Sequence, residues 1–410
     1  MEAIVERCCG LDVHQATIVA CMLCGTGKAK PRKEVRTFGT STPALLLLRD
    51  WLTAGGVTHV GMESTGVYWQ PVHTVLEDHF ELIVGNARHI KAVPGRKTDV
   101  KDSEWLAQLV RHGLIRKSVI PPRPIRALRD LVRFRRKLVE SRTTERNRVL
   151  RLLETANVKL ATVLSDVFGV SGMRMLRALA AGEHEPTTLA DAAHGALRAK
   201  RSALVAALTG RVERHHRLLL QLHLERLAQL DAQLTRLDAL IAEHLTPYRD
   251  PHARLQQIPG VGPGIAAVLL AELGVDMRIF HDVHHLAAWA GICPGNNESA
   301  GKHRSTAIRK GNLSLKTALV EAAQAAARTK HTYLREKFHR LRVRRGYKRA
   351  IVAIAHKILF AAYHLLGGAP TYRELGPTYL DTLDTKRTVR TLTRRLERLG
   401  FVVTLAPAAA

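Results

Sequence analysis

The chain has 410 residues, of which 46% are hydrophobic, so it is long enough to bury two or three separate cores. It carries 63 Lys and Arg against 36 Asp and Glu, a formal net charge of +27, which points to a polyanionic partner and above all to nucleic acid. No apolar stretch reaches the ~18 residues of a membrane span, and Met1–Arg7 does not read as a signal peptide, so the expected setting is cytoplasmic, close to the nucleoid, without a membrane partner.

The first 40 residues read as a meander of three strands, Ile4 to Asp12, Ala16 to Cys24 and Glu34 to Phe38, with turn chemistry at Gly25-Thr26-Gly27-Lys28. A helix follows over Thr42 to Leu52, with Leu45, Leu48 and Leu52 on one face. Then come a short buried strand (Val57 to Met62), a helix (Val67 to Leu76), a strand (Phe80 to Val84) and a helix (Ser103 to His112). Three hairpin strands followed by alternating helix and strand is the order of an α/β RNase H-like fold. In that order the first and fourth strands are parallel central neighbours. Cys8, Cys9, Cys21 and Cys24 fall inside the strands. They lack a second ligand pair at zinc spacing, and the reading is buried free thiols in a reducing compartment.

Pro121-Pro122-Arg123-Pro124 marks a boundary, and residues 125 to 155 read as a long basic helix. From Arg111 to Arg151 there are 14 Lys or Arg and three acids, a one-signed excess. Residues 165 to 210 read as short helices. Val212 to Leu245 is a long one, with Leu220, Leu227, Leu234 and Ile241 every seven residues and Leu230 and Leu237 between them, which is a coiled-coil seam. That seam suits equally a hairpin with the 125–155 helix or a dimer. Residues 331 to 365 are basic and helical, and the tail after Ala369 adds a basic patch over Lys386 to Arg398. The predicted organisation is a catalytic domain over 1–120, a helical linker and coiled coil over 121–250, a mainly α domain over 251–368 and a basic extension over 369–410.

Three features carry chemistry. Asp12 and Glu63 end apolar strands, and Asp99 and Asp102 lie three residues apart, on one face if helical. Four acids of this kind suit two divalent ions, Mg2+ or in its place Mn2+, which hold the attacking and leaving oxygens of a phosphoryl displacement. Ile258-Pro259-Gly260-Val261-Gly262 reads as a helix-hairpin-helix turn, in which Gly260 and Gly262 let backbone N–H groups face a duplex phosphate. Glu298-Ser299-Ala300-Gly301-Lys302 lies in a polar loop amid helices, where Ser299 is an accessible hydroxyl and Lys302, Arg304, Arg309 and Lys310 are phosphate-binding cations.

Together these motifs, from Gly10-Leu11-Asp12-Val13-His14 through Glu63-Ser64-Thr65-Gly66, Lys97-Thr98-Asp99-Val100-Lys101-Asp102 and Glu298-Ser299 to Arg309-Lys310-Gly311-Asn312, resemble the DEDD transposases of bacterial insertion sequences. That family joins a RuvC-like N-terminal domain to a serine-bearing C-terminal transposase domain. The resemblance implies that Asp12, Glu63, Asp99 and Asp102 are catalytic metal ligands and that Ser299 is the nucleophile that joins covalently to a DNA strand. It implies donor and target double-stranded DNA, a structured guide RNA encoded beside the gene, and a homo-oligomer, dimer or tetramer, whose subunits share one composite site. The sequence departs from the family where Ala300 separates Ser299 from glycine, which makes Ser305 a fallback nucleophile, and where Ser103 follows Asp102 in place of alanine. Two other readings compete: a junction-resolving endonuclease that uses water with the same carboxylates, and a non-catalytic architectural nucleic-acid-binding protein.

Overall fold

A computed structural model describes residues 3–27, 30–64, 66–93, 102–295, 297–299, 302–305, 307–308 and 310–406, with the backbone alone at 88, 91, 297–299 and 302–305. The chain divides into two compact units, Met1–Ile120 and Pro121–Ala410.

The first unit is an α/β domain on a five-stranded mixed sheet. Its strands are β1 (Arg7–Val13), β2 (Thr17–Cys24), β3 (Arg32–Gly39), β4 (His59–Glu63) and β5 (Glu81–Gly85), in the spatial order β3-β2-β1-β4-β5. β1, β2 and β3 are antiparallel, whereas β1, β4 and β5 are parallel. Helices α1 (Thr42–Ala54) and α2 (Trp69–Leu76) separate the later strands, and α3 (Ala87–Ala92) and α4 (Asp102–Arg111) follow β5. Leu45, Leu48 and Leu52 are the buried face of α1, as their spacing predicts.

Strand alternation sorts the core into two layers. Cys9, Leu11, Val60 and Met62 point to one face, among the buried leucines of α1 and α2. Cys8 and Gly10 point to the other, against Ala107 and Val110 of α4. The β5 edge is covered by the segment after α4, where Ser118 N–H donates to Val84 O at 2.8 Å. The β3 edge carries Arg32, Lys33 and Arg36, all exposed.

Cys8, Cys9 and Cys21 are fully buried free thiols. Burial raises Cys8 to about 12 and Cys21 to about 11. Cys21 and Cys24 are three residues apart on one strand, so they point to opposite faces and cannot share a metal.

The second unit is mainly helical. It opens with α5 (Arg123–Thr155), followed by α6 (Leu160–Val163), α7 (Val170–Ala181), α8 (Pro186–Asp191), α9 (Arg201–Leu208) and the 31-residue α10 (Arg214–His244). Leu220, Leu227, Leu230, Leu234, Leu237 and Ile241 are the buried seam of α10, and their partner is α5 of the same chain. Of the two arrangements open to the seam, the intramolecular hairpin is the one present. Arg135 pairs with Asp238, Arg142 with Asp231 at 3.0 Å and Glu145 with His223 at 2.5 Å, so the two helices run antiparallel. The small helices α6 to α9 close a second core over Val149, Leu153, Leu220 and Leu227.

The remainder comprises α11 (Arg249–Leu255), α12 (Pro263–Leu273), α13 (Val283–Ala290), the ribbon β6 (Asn297–Ser299) and β7 (Lys302–Ser305), then α14 (Leu313–Ala326), α15 (Tyr333–Arg345), α16 (Tyr347–Leu366), α17 (Tyr379–Thr382) and α18 (Thr385–Glu397). The basic helical stretch over 331–365 comprises two helices, divided at Gly346, whose φ of +78° a glycine adopts readily. Among the described residues α16 is the one helix long and apolar enough to cross a membrane. It is nonetheless a core helix: Ala350, Ile354, Ile358 and Leu365 are buried where it packs against α14 and α15, and Lys348, Arg349 and Lys357 interrupt its apolar run.

Candidate active site

Asp12 and Glu63 are brought to one place by strand register. Leu11 of β1 pairs with Met62 of the parallel β4, so Asp12 and Glu63 are the next residues on adjacent strands. An added Cβ on Gly10 would meet Ala107 N at 2.2 Å and Ser103 O at 2.3 Å, and one on Gly61 would meet Val110 Cγ2 at 2.2 Å. Both glycines therefore face α4, and Asp12 and Glu63, two residues further along each strand, share that face. Neither carboxylate is fully exposed: the Asp12 side chain retains 28% of its accessibility, and His14 Nε2 lies 3.2 Å from its Oδ2.

α4 runs back across this face. Its first turn, at Ser103, lies over Gly10, and its last carbonyl, at Arg111, accepts the N–H groups of Ile4 and Val5 near the start of β1. Asp102 opens the helix at the end where β1 reaches Asp12, and it is exposed. An acid in a first turn is also favoured by the helix dipole. Asp99 lies outside the described residues. Among the described residues, the oxygens of Asp12, Glu63 and Asp102 do not all three lie within 4.8 Å of one another. The group that meets that spacing is His281, Asp282 and His285. There Asp282 is occupied as the cap of α13, accepting from the N–H groups of His284 and His285 at 2.8 Å. Those backbone bonds, with the His285 side chain, hold its carboxyl well below the usual range.

In the second unit Ser299 is not in an irregular loop. It ends β6, paired with Lys302 at the start of β7, and Ser305 pairs with Asn297. Lys302 and Arg304 lie along β7, Arg309 falls outside the described residues, and Lys310 is exposed. The ribbon continues downward through Gly295 N–H donating to Ala307 O at 2.9 Å and a bridge between Pro294 and Ile308. At its base an added Cβ on Gly311 would lie 2.5 Å from Gly291 N. Among the described residues, 294–295 and 297–299 thus pair with 302–305 and 307–308 as one β-arm that carries Ser299. The polar sequence, without apolar alternation, conceals this.

Of the two turn glycines, Gly260 (φ +87°) is pressed against α14, where a Cβ would meet Ala322 O at 2.2 Å. Gly262 caps α12 and, with Gly264, faces open space. The backbone that lies open in this motif is thus that of Gly262 rather than Gly260.

Sequence reasoning missed Glu272. It is the acid of an otherwise apolar α12 and is 1% exposed. Arg133 of α5 grips its carboxylate with two bonds, Nε to Oε1 at 2.7 Å and Nη2 to Oε2 at 2.8 Å. Asn312 Nδ2 donates to Oε2 at 2.6 Å, and Arg129 reaches the carbonyls of Ala271 and Glu272. Burial alone would raise this carboxyl, but the bonds from Arg133 and Asn312 outweigh it and hold Glu272 below its ordinary value. An isolated acid in an apolar helix was the available signal.

Two family models match the chain: a transposase model of the DEDD class of IS110 elements over residues 9–158, and the transposase IS116/IS110/IS902 family over residues 252–339. The chain belongs to the IS116/IS110/IS902 family of transposases. Among curated relatives, the transposase for insertion sequence element IS1111A of Coxiella burnetii is 36% identical over 124 residues, 29% of this chain and 34% of that protein. The transposase y4pF/y4sB of Sinorhizobium fredii is 32% identical over 161 residues, 38% of this chain and 41% of that protein. The matched span is thus about a third to two-fifths of these relatives' length. The first match contains Asp12, Glu63 and Asp102, and the second contains Ser299, Glu272 and Asn312.

Proposed function

We propose that the protein is a DNA transposase that cuts and rejoins strands through a serine–DNA intermediate, with Asp12, Glu63, Asp99 and Asp102 as ligands for divalent metal. The observation that carries the reading is the pairing of Asp12 and Glu63 on one face of adjacent parallel strands, under a helix that begins at Asp102. The strand order, with three antiparallel strands continued by two parallel ones, supports an RNase H-like, RuvC-related domain. The donor set fits the metal: all four are hard carboxylate oxygens, two of them held by the sheet. Magnesium ions there would supply positive charge beside the scissile phosphate.

The protein's own groups do the rest. The Ser299 hydroxyl gives up its proton as Oγ bonds to phosphorus, and the bond from phosphorus to the leaving sugar oxygen breaks, freeing a strand end as a hydroxyl. A strand end of the second DNA then attacks the phosphoserine and restores the serine. One phosphodiester replaces another, so no nucleotide cofactor is consumed. Lys302, Arg304, Arg309 and Lys310 hold the phosphates near the serine, and the exposed backbone at Gly262 positions the duplex. The resemblance to this family adds a structured RNA that selects the two DNAs, a homo-oligomer that completes the site, and a place in the bacterial cytoplasm at the nucleoid.

Denaturing gels test the proposal. Incubation with element-end DNA and Mg2+ yields a protein–DNA adduct that disappears in Ser299→Ala and in Asp12→Asn. Cleavage without an adduct would instead indicate a water-using endonuclease. Mg2+-dependent strand transfer by Asp12→Asn would refute the metal assignment, and an adduct lost only in Ser305→Ala would move the nucleophile to that residue.

A further inference from the structure

We infer that Glu272 is a positioning residue: with Asn312 and Arg133 it locks the base of the serine-bearing arm to the long helix α5. The inference rests on the reading of Ser299 as nucleophile. The arm leaves the helical body at Gly291 and returns at Gly311, where the two backbones are too close for a side chain between them. Asn312, the next residue, faces two ways. Its Oδ1 accepts from Leu315 N–H at 3.1 Å and starts α14, while its Nδ2 donates to Glu272 at 2.6 Å. Glu272 is held in turn by the Arg133 fork. One buried carboxylate therefore joins the returning strand of the arm to α12 and α5.

An ion pair in a purely apolar contact would serve packing equally well if replaced by hydrophobic groups. Here the third partner is the residue at which the arm ends, and a backbone hinge fixed by a planar amide and a bidentate fork is geometrically specific. A two-stranded ribbon is by itself only marginally stable in water, so a nucleophile carried on one depends on what holds the base of the ribbon. Its direction depends on the base. Misplacement by about 1 Å is enough to cost about 100-fold in rate.

The test uses the full chain, with two independent readouts. Amide hydrogen exchange followed by mass spectrometry reports on peptides covering 291–311 and, as an internal reference, 347–366. Adduct formation on element-end DNA reports on the chemistry. Glu272→Gln and Asn312→Ala are expected to raise exchange in 291–311 by about tenfold or more, while the α16 peptides change by less than about twofold. The adduct rate should fall about 10- to 100-fold with DNA affinity retained. Arg133→Lys, which keeps the charge but loses the fork, should fall between wild type and Glu272→Gln; it is also the variant to read if Glu272→Gln does not fold. Exchange rising equally in α16 and the arm would mean a structural ion pair only and would overturn the inference, as would unchanged exchange in the arm. Ser299→Ala separates the two readings: it should abolish the adduct and leave exchange in 291–311 as in the wild type. An adduct that persists in Ser299→Ala removes the nucleophile assignment, while the exchange data still decide the lock.

Discussion

Replacing Gly10 by alanine should disable the carboxylate site without touching any carboxylate. A Cβ at this position would lie 2.2 Å from Ala107 N and 2.3 Å from Ser103 O, and ordinary contact begins at 3.4 Å, so α4 must retreat by roughly 1 Å. Both obstructing atoms are backbone, so no rotamer change relieves the clash. Overpacking of this kind costs about 1–3 kcal/mol, and the upper end is expected because a whole helix must move. Since α4 carries Asp102, a displacement of about 1 Å should lower Mg2+-dependent cleavage about 100-fold. Gly61→Ala is the contrast. Its obstruction is the Val110 side chain, so the double substitution Gly61→Ala/Val110→Ala should recover most of the lost stability, whereas no substitution at position 107 can rescue Gly10→Ala. Urea denaturation of each variant, run beside a cleavage assay, measures both effects. A Gly10→Ala protein within about 0.5 kcal/mol of wild type and fully active would refute the close approach of α4 to β1.

Three further outcomes are expected. Iodoacetamide should modify Cys24 and Cys293 in the native protein and spare Cys8, Cys9 and Cys21 until denaturant is added, because burial keeps these three thiols protonated and covered; mass spectrometry of the labelled peptides checks this. Leu234→Ala should cost about 2–5 kcal/mol by opening a cavity in the α5–α10 seam, while the exposed Leu240→Ala should cost less than about 0.5 kcal/mol, as read by thermal unfolding. Glu272 is held below the ordinary carboxylate value near 4.3, so its contribution is complete above that pH and is lost as pH falls through its lower folded value. The stability gap between wild type and Glu272→Gln, about 1–3 kcal/mol at pH 7, should therefore narrow on acidification towards pH 3; a constant gap would contradict the assignment.

The N-terminal sheet was legible because most of its strands are short apolar runs set between turn residues. The α1 face at Leu45, Leu48 and Leu52 and the α10 seam were legible for a similar reason: periodic burial writes itself into the local sequence. What stayed hidden is non-local. Glu272 meets Arg133 across 139 positions and Asn312 across 40, and nothing in either neighbourhood announces the meeting. The serine arm escaped for another reason. Its strands, Asn297–Ser299 and Lys302–Ser305, are short and polar in sequence, with no apolar alternation to mark them, so they read as a loop. Gly260 and Gly262 look alike in sequence, yet one is pressed against a helix and the other is exposed.

The outer strand β3 has a consequence for handling the protein. Among the described residues β3 is the unpaired edge of its sheet, and an unpaired edge invites a second molecule to add its own strand and begin a polymer. Arg32, Lys33 and Arg36 stud this edge; Lys33 pairs with Glu104 and Arg36 with Glu34, which leaves a residual positive charge, so two copies approaching edge to edge repel each other. High ionic strength screens that repulsion. Concentrated salt, the usual remedy for stripping nucleic acid from so basic a chain, therefore also weakens its defence against self-association.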